Sequence, residues 1–119
     1  QAIAKSLSEK RSIARYAMTG ATLSDAAVKA ILDVAGQGEF YLHGTLPKED
    51  GAPFDGRLAE IFFRRLTIAA GATLHLEVVA GTNPHYVIEA AVKSVALALR
   101  AAVTRDPRIQ GVPSTKGVL

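Results

Sequence analysis

GATLHLEVVAGTNPH, residues 71–85, decides the fold of this chain. Leu74, Leu76 and Val78 alternate with Thr73, His75 and Glu77, the period of a strand with one buried face. Gly71 stands where a preceding helix must stop, because only a residue without a Cβ enters the left-handed region cheaply. Asn83-Pro84 starts a following helix, with the cap residue ahead of a first-turn proline. The stretch therefore reads helix stop, strand, helix start.

Downstream, residues 84–105 carry an apolar stripe at helical spacing: Val87 or Ile88, Ala91 or Val92, Val95, Leu99 and Val103, with Asp106-Pro107 as the stop. Upstream, Asp55 reads as an N-cap to a helix whose stripe is Leu58, Ile61, Phe62, Leu66 and Ala69, with Glu60 and Arg64 paired four apart. Residues 47–53 form a polar loop. Residues 26–34 read two ways: their alanines and a possible Asp25 cap favour a helix, while the alternation of Val28, Ala30, Leu32 and Val34 favours a strand. Taken as a strand, they are expected to form a hairpin with the strand of Phe40 and Leu42 across the Gly36-Gln37-Gly38 turn. Residues 13–18 alternate as another strand, closed by Gly20. Residues 1–8 carry Ile3 and Leu7 at helical spacing. The sum is an α+β arrangement, a four-stranded sheet with two helices on one face. Three segments are expected: 1–9 the end of a preceding helix, 10–107 one α+β unit, and 108–119 a C-terminal tail.

Composition limits the function. The 119 residues suffice for one domain, and 49% apolar against 21% charged residues is a globular balance. The chain has no cysteine, which removes disulfides, thiolate metal sites and a cysteine nucleophile. No run of apolar residues approaches a membrane span, and no basic, apolar leader is visible, so the expected location is the cytoplasm, or an organelle in a eukaryote. The net charge of +3 is mild, and only seven aromatics are present, most at core spacing, so no nucleic-acid patch and no membrane partner are expected. Gln1 in place of a methionine, in a run that reads as helix, leads to the expectation of a processed, trimmed or partly observed chain.

The sharpest chemical feature is His85 and Glu89, four apart in the first turns of the last helix. That spacing sets an imidazole and a carboxylate on one helix face, as a two-ligand metal clamp requires, and equally as a surface hydrogen bond does. Lys93, one turn on, either grips an anion beside them or pairs with Glu89. Residues 113–117, Pro-Ser-Thr-Lys-Gly, place the Ser114 hydroxyl and the Lys116 ammonium on flexible backbone that can wrap a phosphate, although the pattern is not a nucleotide loop. Arg15 is a candidate bidentate anion binder or a solvent-facing strand residue. His43 and His75 read as isolated histidines, structural or exposed rather than ligands.

Taken together, Lys10-Arg11-Ser12-Ile13-Ala14-Arg15-Tyr16, Phe54-Asp55 leading to Phe62-Phe63, residues 70–76, Ala80-Gly81-Thr82-Asn83-Pro84-His85, residues 89–93, Ala98-Leu99-Arg100, Asp106-Pro107-Arg108 and residues 111–119 resemble the imidazoleglycerol-phosphate dehydratase family, in order and spacing along nearly the whole chain. The resemblance implies one half of a duplicated α+β fold of the ribosomal protein S5 domain 2-like type, with Gln1 aligned inside the last helix of the other half. It implies a 24-subunit assembly and a cofactor of two manganese ions. The reaction is loss of water from D-erythro-imidazole-glycerol phosphate to give imidazole-acetol phosphate in histidine biosynthesis. There the metals hold the imidazole as imidazolate while a proton and a hydroxyl leave the glycerol chain.

Carried over position by position, the resemblance makes His85 and Glu89 metal ligands, Glu89 also the catalytic residue, and Arg15, Lys93, Ser114 and Lys116 the phosphate-holding residues. Three positions depart from the pattern. Tyr86 stands where the second histidine of a pair is expected, Ile61 where another histidine is expected, and Gln37 where a second phosphate arginine is expected. The expected partners are a phosphorylated imidazole substrate and other copies, or a complementary chain, in a large homo- or hetero-oligomer. The isolated chain is expected to be an inactive part of a manganese-dependent hydro-lyase. Two other functions fit the same residues: a catalytically inactive relative serving as a structural or regulatory subunit, and a metal-free binding module for a phosphorylated small molecule.

Overall fold

The structure, a computed structural model, describes residues 14–35, 37–49 and 55–104. Four strands and two helices follow in the order β1 (Tyr16–Leu23), β2 (Ala26–Asp33), β3 (Glu39–His43), α1 (Gly56–Ala70), β4 (Thr73–Ala80) and α2 (Pro84–Val103). The segments assigned to 1–9 and 108–119 lie outside the described residues.

β1 and β2 form an antiparallel hairpin, with Leu23 opposite Ala26 and Tyr16 opposite Asp33. The turn between them is two residues, and Ser24 adopts φ 55°, the left-handed value such tight turns demand. β1 therefore runs straight through Gly20 rather than ending there, since Gly20 pairs with Lys29 in the ladder. β4 lies against β2 antiparallel, and β3 lies parallel to β4, giving the order β1-β2-β4-β3. This corrects the expected hairpin between β2 and β3. The β2–β3 connection carries the chain past the slot that β4 later fills, and α1 supplies the crossover a parallel pair requires.

One sheet face is covered. Ala26, Val28, Ala30 and Leu32 of β2, Leu74 and Leu76 of β4, and Phe40 of β3 are buried in one cluster with Ala59, Phe63 and Ala70 of α1 and Val87, Ala91, Val95, Ala98 and Ala102 of α2. Small residues at Ala90, Ala91, Ser94 and Ala98 let α2 lie close over the β1–β2 hairpin, where the Thr19 hydroxyl donates to the Ser94 carbonyl at 2.6 Å. Phe40 and Phe63 stack at 5.9 Å and tie the edge strand to α1.

The helix ends are as the sequence indicates. The Asp55 carboxylate accepts from the Arg57 amide, Gly71 takes φ 62° and closes α1, and the Asn83 side chain accepts from the Tyr86 amide. The inward stripe of α1 is different from the expected one. Gly56, Ala59, Phe63, Thr67 and Ala70 face the sheet, with Leu66 packed partly buried beside them as expected, whereas Leu58, Ile61 and Phe62 are exposed. The larger residues at helical spacing formed the better-looking stripe, but the smaller set allows close approach to the strands.

Among the described residues nothing covers the opposite sheet face. A row of register partners crosses it from edge to edge: Met18, Ile31, His75 and Tyr41. The next row contains Lys29, Glu77 and His43, and Lys29 pairs with Glu77 at 3.8 Å. Among the described residues no helix is long and apolar enough to cross a membrane.

Candidate functional site

The turn from β4 to α2 builds the site. Gly81 takes φ 109°, which frees the chain to turn back over Ala26, and Asn83-Pro84 then fixes the first turn of α2. His85 sits on that turn, with Glu89 and Lys93 on the next two, so all three share one stripe. His85 Nε2 lies 3.1 Å from Glu89 Oε2, and Lys93 Nζ lies 3.6 Å from Glu89 Oε1. One carboxylate thus uses one oxygen toward an imidazole and the other toward an ammonium. All three side chains are about half exposed. Tyr86 packs against the core and meets the His85 ring edge-on at 5.7 Å, so its phenol belongs to the wall of the site.

This arrangement offers one nitrogen and one oxygen donor to a metal and one cation to a phosphate. Even a catalytic metal takes at least three protein ligands as a rule. Among the described residues no group of three or more His, Asp or Glu is placed to hold an ion. Ile61, on the exposed side of α1, has no donor atom at all. His85 and Glu89 alone do not fit a manganese centre.

Arg15 lies elsewhere. Its amide donates to the Ala102 carbonyl at 3.0 Å, at the far end of α2, and Val34 donates to its carbonyl at 3.1 Å. From Ala102 back to His85 the helix rises roughly 25 Å. The guanidinium is held by Asp33, Nε to Oδ1 at 2.8 Å and Nη2 to Oδ2 at 3.3 Å, and lies 4.6 Å from the Tyr16 ring centre. The Asp33 hydrogen bond is the main cause that holds its pKa above the ordinary arginine value. Arg15 itself adopts φ 71° at the entrance to β1. The described residues therefore bring His85, Glu89 and Lys93 together and leave Arg15 apart. Ser114 and Lys116 lie outside the described residues. Gln37 is exposed in the segment before β3.

The other two histidines, read from the sequence as isolated, stand side by side on the open sheet face, with His43 Nε2 2.9 Å from His75 Nδ1. The sequence signalled only that His75 points outward; the partnership depends on the β3–β4 register.

Comparison with known proteins gives a consistent result. The family model for imidazoleglycerol-phosphate dehydratase matches residues 1–99. An imidazoleglycerol-phosphate dehydratase of Desulforamulus reducens is 40% identical over 119 residues, all of this chain and 61% of its own length. One from Symbiobacterium thermophilum is 44% identical over 119 residues, all of this chain and 57% of its own. The chain thus spans about 60% of the length of these curated relatives. Among solved structures, the Pyrococcus furiosus enzyme in complex with (S)-C348 superposes with a TM-score of 0.84 at 29% identity, covering 99% of this chain and 64% of that one. The Staphylococcus aureus dehydratase gives 0.80 at 29% identity, covering 87% and 60%.

Proposed function

The chain belongs to the imidazoleglycerol-phosphate dehydratase family, and from that premise we propose that it supplies one part of a dehydratase site for D-erythro-imidazole-glycerol phosphate and is inactive alone. The observation that carries the proposal is the His85–Glu89–Lys93 stripe, held within 3.6 Å on consecutive turns in a chain 40% identical to a named dehydratase.

In this reading His85 and Glu89 offer a nitrogen and an oxygen to a metal whose other ligands come from another chain or from residues outside the described ones. Lys93 attracts the substrate phosphate, and Glu89, which the resemblance also makes the catalytic residue, lies between the His85 imidazole and the Lys93 ammonium. Arg15 cannot serve the same substrate molecule as His85 within one chain, because roughly 25 Å of helix exceeds what an imidazole-glycerol phosphate can bridge. Its phosphate role is assigned to the site of a neighbouring copy in an oligomer. Among the described residues His85 and Glu89 do not complete a manganese shell.

The test is complementation. The chain is mixed with a full-length relative inactivated at its own counterpart of Glu89, with manganese and substrate, and imidazole-acetol phosphate is measured. Turnover that appears only in the mixture, and is lost with Glu89→Gln, supports the proposal. Turnover by the chain alone would refute its incompleteness. Co-assembly without turnover or bound manganese would favour the second reading, a catalytically inactive structural or regulatory subunit, which Ile61 and Tyr86 at expected histidine positions support.

A further inference from the structure

The outward residues of the four strands fall into rows by register. Met18, Ile31, His75 and Tyr41 make one row, and Gly20, Lys29, Glu77 and His43 make the next. Tyr16, Met18, Ile31, Tyr41 and Val79 expose between 44% and 67% of their surface on this face. Large apolar side chains gathered on one sheet face, with the Lys29–Glu77 ion pair among them, mark an interaction surface. Its relief is uneven. Gly20 has no side chain and leaves a hollow of about 350 Å³ bordered by Met18, Thr22, Ala27 and Val79. The footprint suffices for a specific contact. Three strands of eight residues and one of five, at ~3.3 Å per residue and ~4.8 Å between strands, cover roughly 460 Å² per copy. With the relief of the side chains included, two such faces bury about 1,000 Å², the lower limit for a specific interface.

We infer that two copies of this chain pack these faces together, about a two-fold axis that runs along the strands between β2 and β4. That axis exchanges β2 with β4 and β1 with β3 across the contact. It sets Lys29 over the partner's Glu77 and Glu77 over the partner's Lys29, so the charge pattern is complementary to itself. In the neighbouring row Ile31 meets the partner's His75, and the Met18 sulfur meets the partner's Tyr41 ring, a favourable pairing. The partner's His43 comes over the hollow at Gly20. Sheets packed face to face align within about 30° and interdigitate at ~10 Å, which this register allows. The apolar residues supply the affinity, and the exchanged ion pairs fix the register. α1 offers no equivalent. Leu58, Ile61 and Ile68 are exposed on it, but Arg65 stands among them, and two copies of that stripe bring like charges together. The inference uses none of His85, Glu89 and Lys93, so it is independent of the dehydratase proposal.

The test is the mass of the 119-residue chain by sedimentation velocity up to ~100 μM, above the μM dissociation constants of weak protein interfaces. The variants are Ile31→Lys, Glu77→Lys, the double swap Lys29→Glu with Glu77→Lys, and Ile68→Lys on α1, each checked for native circular dichroism. None of these side chains is buried, so the fold tolerates the changes. Wild type and Ile68→Lys should associate in even multiples of one chain. Ile31→Lys and Glu77→Lys should weaken association about ten-fold or more, and the double swap should restore what Glu77→Lys loses. A monomeric or trimeric wild type, association that survives Ile31→Lys and Glu77→Lys, or a double swap no better than Glu77→Lys would overturn the inference.

Discussion

Gly81 offers the most demanding test of how the site is placed. Its φ of 109° lies where L-residues rarely go, and a Cβ there would meet Ala26 Cα at 2.8 Å, Ala26 Cβ at 2.9 Å and Val87 Cγ2 at 3.0 Å. Gly81→Ala therefore carries two costs. Backbone strain at such a φ contributes about 1–3 kcal/mol. Overpacking against Ala26, which is backbone and cannot rotate away, contributes about 1–3 kcal/mol more. The sum, about 2–6 kcal/mol, is a large share of the ~5–15 kcal/mol that typically holds a domain together. The unfolding midpoint should fall by roughly 6 °C or more, at about 3 °C or more per kcal/mol for a domain between the small and mid-sized classes. Urea and thermal unfolding followed by circular dichroism measure the loss. Gly20→Ala is the control, because its Cβ meets only the Val28 carbonyl oxygen at an ordinary 3.6 Å and no positive φ is involved. A Gly81→Ala variant within about 0.5 kcal/mol of wild type would refute the argument that this turn aims the first residues of α2.

The two adjacent phenylalanines test the orientation of α1: Phe63→Ala should cost about 3–5 kcal/mol from a fully buried position, and Phe62→Ala about 1 kcal/mol or less from an exposed one; denaturant titration that ranks them the other way sinks the assignment. Asp55 holds its carboxyl below the usual value, chiefly through the Arg57 amide. Its capping contribution should be complete above about pH 4 and lost as pH falls further through the depressed pKa. Asn keeps the cap without titrating, so the stability difference between wild type and Asp55→Asn should move against wild type below that pH; a difference flat from pH 7 to 2 contradicts this. Glu89→Gln should change stability by only a few tenths of a kcal/mol, as expected of exposed pairs on a helix. In an active assembly it should abolish metal binding while Lys93→Ala weakens phosphate binding alone, as read by calorimetry with and without manganese; equal loss of both would merge the two roles.

Much of the fold was legible in the sequence where the signal is local. The alternation through Thr73, Leu74, His75 and Leu76, the caps Asp55 and Asn83, and the stop at Gly71 each depend on a few neighbouring residues, and all appear as read. Pairing was not legible, because a strand as short as β3 carries no mark of its partner. The hairpin assigned to it belongs instead to β1 and β2. The facing of α1 was misread for a related reason. Leu58, Ile61 and Phe62 make an apolar stripe as regular as the buried one, and only tertiary packing chooses between them. The candidate site divides the same way. His85, Glu89 and Lys93 follow from helical periodicity alone, whereas the separation of Arg15 and the meeting of His43 with His75 follow from topology.

The strand order has a kinetic consequence. β1 and β2 meet across a two-residue turn and close almost no loop, so this hairpin is positioned to form early, with α2 docking later from the far end of the chain. β4, a central strand, pairs with β2 across a long sequence separation, Ala30 opposite Leu76, so closing that pair costs more loop entropy than the hairpin does. Folding rates should therefore respond to substitutions in the hairpin core such as Val28→Ala, and unfolding rates to substitutions in β3 such as Phe40→Ala. Stopped-flow measurements showing the opposite partition would mean that the sheet assembles from its parallel side.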